Sequence, residues 1–154
     1  MEHQAGTLVL GENKRWKQDC DMGSQNNQNF VSMPTGLLKQ MIIYKASDAG
    51  IKTIMQEESY TSQADITAMD YIPVYGVDAE NAVFSGRRIS RSLYRCFNGM
   101  IINADCNGAA NIMRKAITDA WNSITDFSFL ASPEVSGFHE LNPLSISVKG
   151  IAAA

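Results

Sequence analysis

The spacing of apolar and polar residues in the first third of the chain predicts a strand, a helix and a second strand. Residues 7–10 (TLVL) form a short β-favouring run. After a polar connection over residues 12–32, apolar side chains recur at helical spacing from Pro34 until Gly50, a residue type common just past a helix end. The run at residues 51–57 then predicts a strand. This order is typical of a parallel crossover unit, whose helix packs its apolar face on the sheet. The apolar positions of that helix are Leu37, Leu38, Met41 and Ile42.

The rest of the chain is less regular. Residues 59–100 mix polar, glycine and aromatic residues without a clear period and are typical of an insertion. From Asn103 to Ile117 a last helix is predicted. Its apolar side holds Ala109, Ile112, Met113 and Ala116. Beyond it, Trp121 and several phenylalanines can be buried, but prolines and glycine interrupt any long element.

Composition bounds the class of protein. A chain of 154 residues with 45% apolar and 19% charged residues is sufficient for one domain with a core. No apolar run is long enough for a bilayer span and the start has no secretion signal, so we expect a cytoplasmic protein with no membrane contact. Cys20, Cys96 and Cys106 are an odd, widely spaced set, which predicts neither a disulfide framework nor a CxxC metal pair.

Charge is distributed unevenly. The formal net charge is −3, yet four of the six arginines lie between residues 87 and 95. Directly after this basic segment, Asp105 enters the last predicted helix. An acid beside phosphate-binding guanidiniums is what a metal-dependent enzyme acting on nucleic acid requires. Two other interpretations are open: a salt-bridged surface, and an N-cap role for Asp105.

Four sequence segments, taken together, resemble the C-terminal half of TnpB/OrfB-type transposon proteins. They are NNQNFVSMP at 26–34, EESYTSQ at 57–63, GRRISRSLYR at 86–95 and NADCNGAANIMRK at 103–115. That family comprises RuvC-like, RNA-guided DNA nucleases related to type V CRISPR effectors. Because several motifs keep the family's order, chance similarity is not a good explanation.

The resemblance implies an α/β fold: a partial RNase H-like (RuvC-like) domain that lacks the first strands. Residues 7–58 and 101–118 would form its C-terminal half, and residues 119–154 a tail of unknown role. Residues 59–100 would be a degenerate zinc-ribbon-like insertion that binds nucleic acid. Because Ala64 stands where relatives often begin a CxxC pair and no second pair follows, we expect no zinc.

The resemblance also implies three carboxylates that hold Mg²⁺, on the first strand, the fourth strand and the last helix. Asp105 matches the helix position. At the fourth strand, Gly11 stands where relatives carry the acid, and Glu12, one residue later, points to the opposite face. We therefore hypothesise that Glu57 or Glu58, at the end of the adjacent strand, supplies the missing carboxylate. The alternative is a pair of solvated glutamates.

The basic segment supplies the candidate nucleic-acid-binding residues Arg87, Arg88, Arg91, Tyr94 and Arg95, with Phe97 nearby. Guanidiniums bind phosphate oxygens and an aromatic ring can stack on an unpaired base. The alternative is an ordinary solvated face. Residues 14–17 (KRWK) form a second candidate patch.

The sequence thus predicts a truncated TnpB-like transposase segment that binds DNA, with guide RNA as a second candidate ligand. Because the first catalytic aspartate has no counterpart, we expect no cleavage by the chain alone, and Mg²⁺ remains an expectation from the family. One alternative is half of a split nuclease, completed by a chain that supplies the other strands. Another is an interaction module without a nucleic-acid role.

Overall fold

The computed structural model describes residues 5–12 and 35–133, and it contains the predicted parallel unit. Strand β1 (Thr7–Glu12) is followed by helix α1 (Thr35–Asp48) and strand β2 (Lys52–Glu57). The two strands are parallel, in a register that pairs Gly11 with Gln56 and Glu12 with Glu57. Gly50, at φ +72°, turns the chain after α1, as its position in the sequence predicts.

The packing predicted for α1 is wrong. Its apolar side chains are largely exposed, with exposed fractions of 57% for Leu37 and 55% for Met41, and only Ala46 is buried. A helix is about 10 Å across, whereas neighbouring strands are only about 4.8 Å apart, so a two-stranded sheet covers little of a helix face. Helix α1 contacts β2 but leaves most of its apolar residues in solvent.

The segment predicted to be irregular forms a second sheet together with residues 101–103. Its strands are β3 (Arg87–Arg88), β4 (Leu93–Arg95) and β5 (Ile101–Asn103), paired antiparallel in chain order. A single 3₁₀ turn, Ala79–Asn81, precedes them. Strands of two or three residues are too short to show an alternating pattern in the sequence, which is why the sheet was not predicted.

Helix α2 (Ala104–Ala116) joins the two sheets, because it contacts β1 and β2 as well as β4 and β5. Its N-cap is Asn103, whose side chain accepts hydrogen bonds from the backbone N–H groups of Asp105 at 2.9 Å and Cys106 at 3.0 Å. The proposed capping role of Asp105 therefore belongs to Asn103. The buried positions of α2 are Ala104, Asn107, Ala110 and Asn111, not the predicted apolar side; Ala109 is exposed.

The core lies between the second sheet and α2. Buried Tyr94 and Ile102 from the sheet meet Ala110 of the helix, and the segment after the helix closes the cluster with Phe127 and Leu130. A hydrogen bond of 3.0 Å from the indole of Trp121 to the carbonyl of Ala110 fixes this segment. Phe127 is thus buried and Trp121 partly buried, as predicted, whereas Phe129 is 50% exposed. Within these described ranges, neither helix has the length and apolar content to span a bilayer. The KRWK patch, Cys20 and most of the polar connection lie outside the described residues, as do residues 134–154.

Candidate functional site

Glu58 reaches back to the neighbouring strand. It follows the last residue of β2, and its carbonyl accepts hydrogen bonds from the N–H and hydroxyl of Thr61 at 3.2 and 2.7 Å. An ideal Cβ built on Gly11 would lie 2.3 Å from Oε2 of Glu58 and 3.1 Å from Cδ1 of Ile112. The carboxylate of Glu58 therefore occupies the space that a side chain on strand residue 11 would take.

Glu57 has a different environment. Its carboxylate forms an ion pair with Lys115 and accepts a hydrogen bond of 2.6 Å from the N–H of Ser59. Burial alone would raise the pKa of Glu57, but the hydrogen bonds from Lys115 and Ser59 outweigh it and hold the pKa below its ordinary value. Because Lys115 is ten residues beyond Asp105, Glu57 meets α2 about 15 Å along the helix axis from that acid. The structure does not bring Glu57 and Asp105 together.

Asp105 lies at the opposite end of α2, with 85% of its side chain exposed. Its nearest cation is Arg88, whose Nη2 is 3.3 Å from Oδ1 of Asp105. Since Asp105 and Ile112 are seven residues apart, they share a face of the helix, about 10 Å apart along its axis. Glu58 and Ile112 both lie beside Gly11, whereas Glu57 binds Lys115, three residues further along α2. Of the two glutamates, Glu58 therefore meets α2 nearer to its Asp105 end.

Arg88 is engaged within the protein. Besides Asp105, its guanidinium donates to the carbonyl of Arg91 and, at 3.2 Å, to that of Ser90. These bonds hold the turn between β3 and β4 against the start of α2. Arg88, which was predicted to bind phosphate, therefore links the second sheet to Asp105.

The other arginines of the basic segment are free of ion pairs within residues 5–12 and 35–133. In the antiparallel register, Arg95 of β4 pairs with Arg87 of β3 and, across its other edge, with Ile101 of β5. All three side chains are exposed. Arg87 and Arg95 thus occupy directly opposite positions on the solvent side of the sheet, next to the exposed Ile101.

Tyr94, predicted to bind nucleic acid, is buried. Alternation along β4 places Tyr94 on the face of the sheet opposite Arg95, and the residue is 0% exposed. The hydroxyl donates a hydrogen bond of 2.7 Å to the carbonyl of Gln63, and burial raises the pKa of Tyr94. Phe97, 61% exposed, is the aromatic residue of this segment that can stack on a base.

Two buried carboxylates hold the insertion together. Asp65 accepts hydrogen bonds from Thr67 and, at 2.6 Å, from the N–H of Phe97. Asp70 accepts from the N–H of Asp65 at 2.9 Å and from Ser85 at 2.6 and 2.8 Å. The acids therefore connect segments that are distant in sequence. Near them, burial raises the pKa of the Cys96 thiol to about 11.

Helix α2 supports the site through polar residues that the sequence pattern does not reveal. Asn107 and Asn111, both fully buried, donate to the carbonyls of Ala64 and Thr61 at 2.7–3.0 Å. Arg114 donates to the carbonyl of Asp70 at 2.5 Å. The available signal was the repeat of asparagine four residues apart among small apolar residues, which places both amides on one helix face.

The part of the chain that the structure describes contains no group of three or more histidine, cysteine, aspartate or glutamate side chains arranged to hold a metal ion. Asp105 and Glu58 supply one carboxylate each, on the same side of α2. Each carboxylate offers the oxygen chemistry that Mg²⁺ prefers, but the two acids do not form a full ligand set.

An α/β fold with this acid and basic sheet is consistent with a nuclease lineage, and comparison with known proteins agrees. Residues 36–112, half of the chain, match the family described as Cas12f1-like, TNB domain, so the chain belongs to that family. A CRISPR-associated endodeoxyribonuclease Cas12f1 from Sulfoacidibacillus thermotolerans is 37% identical over 93 residues. That region is 60% of this chain but only 18% of the relative. The predicted relationship to TnpB and Cas12 proteins is thus confirmed over part of the chain.

Proposed function

We propose that the chain binds DNA through a basic surface formed by Arg87, Arg91, Arg95 and Phe97, as a segment of an RNA-guided, RuvC-like nuclease system. Guide RNA is the second candidate ligand. This narrows the predicted site by removing Tyr94, which is buried, and Arg88, whose guanidinium is engaged with Asp105 and two carbonyls.

The observation that carries this proposal is the pairing of Arg87 with Arg95. Like charges directly opposite each other on neighbouring strands repel and destabilise a sheet. A phosphate bound between the two guanidiniums would remove that repulsion and accept hydrogen bonds from both. Ile101, which pairs with Arg95, and Phe97, two residues after Arg95, are exposed and offer apolar surface for a base.

For the metal, the proposal assigns Asp105 and Glu58 as carboxylates that contribute to a Mg²⁺ site in an RNase H-like arrangement of residues 7–58 and 101–118. Glu58 would act from the position that a strand acid at residue 11 would occupy. When bound, Mg²⁺ would activate water and stabilise a leaving oxygen. Asp105 would hold a metal only after exchange of its ion pair with Arg88. We expect that the chain alone does not cut DNA.

The binding proposal is tested by fluorescence anisotropy with single-stranded DNA, duplex DNA and RNA over a series of salt concentrations. The double variant Arg87→Gln/Arg95→Gln should lower affinity at least about tenfold, because each charged hydrogen bond contributes about 1.5 kcal/mol or more. Its salt slope should fall by about 0.7 for every phosphate of a single strand that the variant no longer binds.

A matched control removes two charges elsewhere. Lys45 lies on α1 and Lys52 begins β2, so Lys45→Gln/Lys52→Gln gives the same net charge without touching the basic surface. An equal loss in both double variants would mean that only net charge matters. Salt-insensitive or absent binding to all three polymers would instead favour the interaction-module alternative.

The catalytic part of the proposal is tested with Mg²⁺ or Mn²⁺ and labelled DNA. We expect no cleavage by the purified chain; cutting that Asp105→Ala abolishes would contradict this. The split-nuclease alternative has one observation in its favour. Among the described strands β1 pairs only with β2, so its other edge has backbone groups available to a further strand. Co-purification with a chain that restores cleavage would establish that alternative.

A further inference from the structure

The ammonium of Lys115 is buried and fully paired. The side chain is 9% exposed, and its Nζ donates to the Glu57 carboxylate, to the carbonyl of Ser59 at 3.2 Å and to that of Pro73 at 3.0 Å. An ammonium has three donors, and all three are used. Burying a cation costs free energy unless it is paired and hydrogen-bonded, so this arrangement strongly favours one position of the surrounding chain.

Two of these three partners are the neighbours of Glu58 in sequence. Glu57 and Ser59 are bound to the same nitrogen, and the Glu57 carboxylate also accepts the N–H of Ser59. On the other side, Thr61 donates twice to the carbonyl of Glu58. The backbone on both sides of Glu58 is therefore fixed, with its carboxylate beside Gly11.

This arrangement also gives the two glutamates different charge partners. Lys115 is neutralised by Glu57, while Glu58 forms no ion pair with any residue in the described ranges. A carboxylate without a cationic partner keeps its negative charge available to a metal ion. Glu57 thus acts on the lysine and leaves Glu58 as the acid that faces β1.

We propose that Lys115 is a positioning residue, which fixes the turn at residues 57–59 and so holds the Glu58 carboxylate over Gly11. Glu57, one of the two glutamates predicted to supply the missing carboxylate, then serves to bind Lys115. The inference rests on the proposed role of Glu58 for its functional meaning, but its geometry can be tested without a metal.

The metal-free test is a nuclear Overhauser effect between the Hγ protons of Glu58 and the Hα protons of Gly11, measured in the full chain. We expect this signal in the wild type and in Lys115→Arg, whose guanidinium can bind the same oxygens. It should be lost in Lys115→Met, which keeps the length and removes the charge. If Lys115 only stabilises the fold, Lys115→Met should lower the unfolding temperature and leave the signal intact.

Glu57→Gln is the second variant, in case Lys115→Met does not fold. It removes the ion pair but leaves the bonds from Lys115 to Ser59 and Pro73, so the signal should weaken. A signal of wild-type intensity in folded Lys115→Met, or in Glu57→Gln if the former fails to fold, would overturn the inference. So would the absence of the signal from the wild type.

Adding Mn²⁺ to the same samples separates this inference from the proposed function. Paramagnetic broadening of Gly11 and Glu58 in the wild type, reduced in Lys115→Met, supports both. A Lys115-dependent signal without any broadening supports the positioning role and contradicts the metal role of Glu58. Broadening that is equal in wild type and Lys115→Met contradicts the positioning role alone.

Discussion

The carboxylate of Glu58 stands where a side chain of Gly11 would be, since an ideal Cβ at residue 11 would lie only 2.3 Å from Oε2 of Glu58. The two residues come from the ends of paired parallel strands. The Glu58 carboxylate can occupy this space only because residue 11 has no side chain. This relationship explains how a chain with glycine at the strand position can still present a carboxylate there.

Gly11→Ala tests this relationship. The new Cβ must displace the end of the Glu58 side chain, which is flexible, and press on Ile112, so we expect a loss of only about 1 kcal/mol. The Glu58-to-Gly11 proximity signal should change to that of a displaced glutamate. The control is Gly108→Ala in α2, where a Cβ would meet nothing within 4 Å. That change should stabilise the helix by about 0.5 to 1 kcal/mol. Equal effects of both substitutions in urea unfolding would contradict the contact.

Asn111 should be necessary for the stability of the fold. Asn111→Ala leaves the buried carbonyl of Thr61 without its side-chain donor and removes one of the two donors to the carbonyl of Ala64, so we expect a loss of about 2 kcal/mol in the free energy of unfolding. Asn122→Ala, at an exposed position after α2, should change that free energy by less than about 0.5 kcal/mol. Comparable values for the two variants would mean that the amide of Asn111 does not hold the loop.

Phe97 and Tyr94 should respond in opposite ways. Phe97→Ala removes an exposed ring and should weaken single-stranded DNA binding by about 1 to 3 kcal/mol with little change in stability. Tyr94→Phe removes the hydrogen bond to Gln63 and should cost about 1 kcal/mol of stability with unchanged DNA affinity. Anisotropy and thermal unfolding on the same samples distinguish them. Weakened DNA binding by Tyr94→Phe would restore the original prediction for that residue.

Some secondary-structure elements of this fold can be predicted from the sequence, and others cannot. The parallel unit was predicted because apolar spacing and glycine fix its helix and strands. The resemblance to TnpB proteins led to a related family, which the comparisons support over part of the chain. The short antiparallel sheet was missed, since Leu93 to Arg95 reads as part of a basic run and only pairing reveals that its middle residue is buried. Likewise, a hydrophobic pattern cannot show that Asn107 and Asn111 form the buried face of α2. Their burial depends on carbonyls more than 40 residues away.

The ion pair of Glu57 predicts a pH dependence. Folding lowers the pKa of Glu57 from its ordinary value of 4.5, so its stabilising contribution is present above that pH and is lost as the pH falls through the folded-state pKa. Between about pH 6 and pH 3, the wild type should therefore lose more stability than Glu57→Gln. Asp78 and Asp126, whose pKa values are also lowered by hydrogen bonds, contribute equally to both proteins. Parallel unfolding curves across this range would show that the pair with Lys115 contributes nothing.

Moving the carboxylate from one strand to the other tests the central claim most directly. Mn²⁺ broadening of the amide signals near residue 11 is measured in Glu58→Ala and in Gly11→Asp/Glu58→Ala. Gly11 does not have a positive φ, so an aspartate there needs no unusual backbone. We expect Glu58→Ala to lose the broadening and the double variant to recover it, because the acid then reaches the same space from β1. Wild-type broadening in Glu58→Ala, or no recovery in a folded double variant, would contradict the claim that Glu58 replaces a strand acid at position 11.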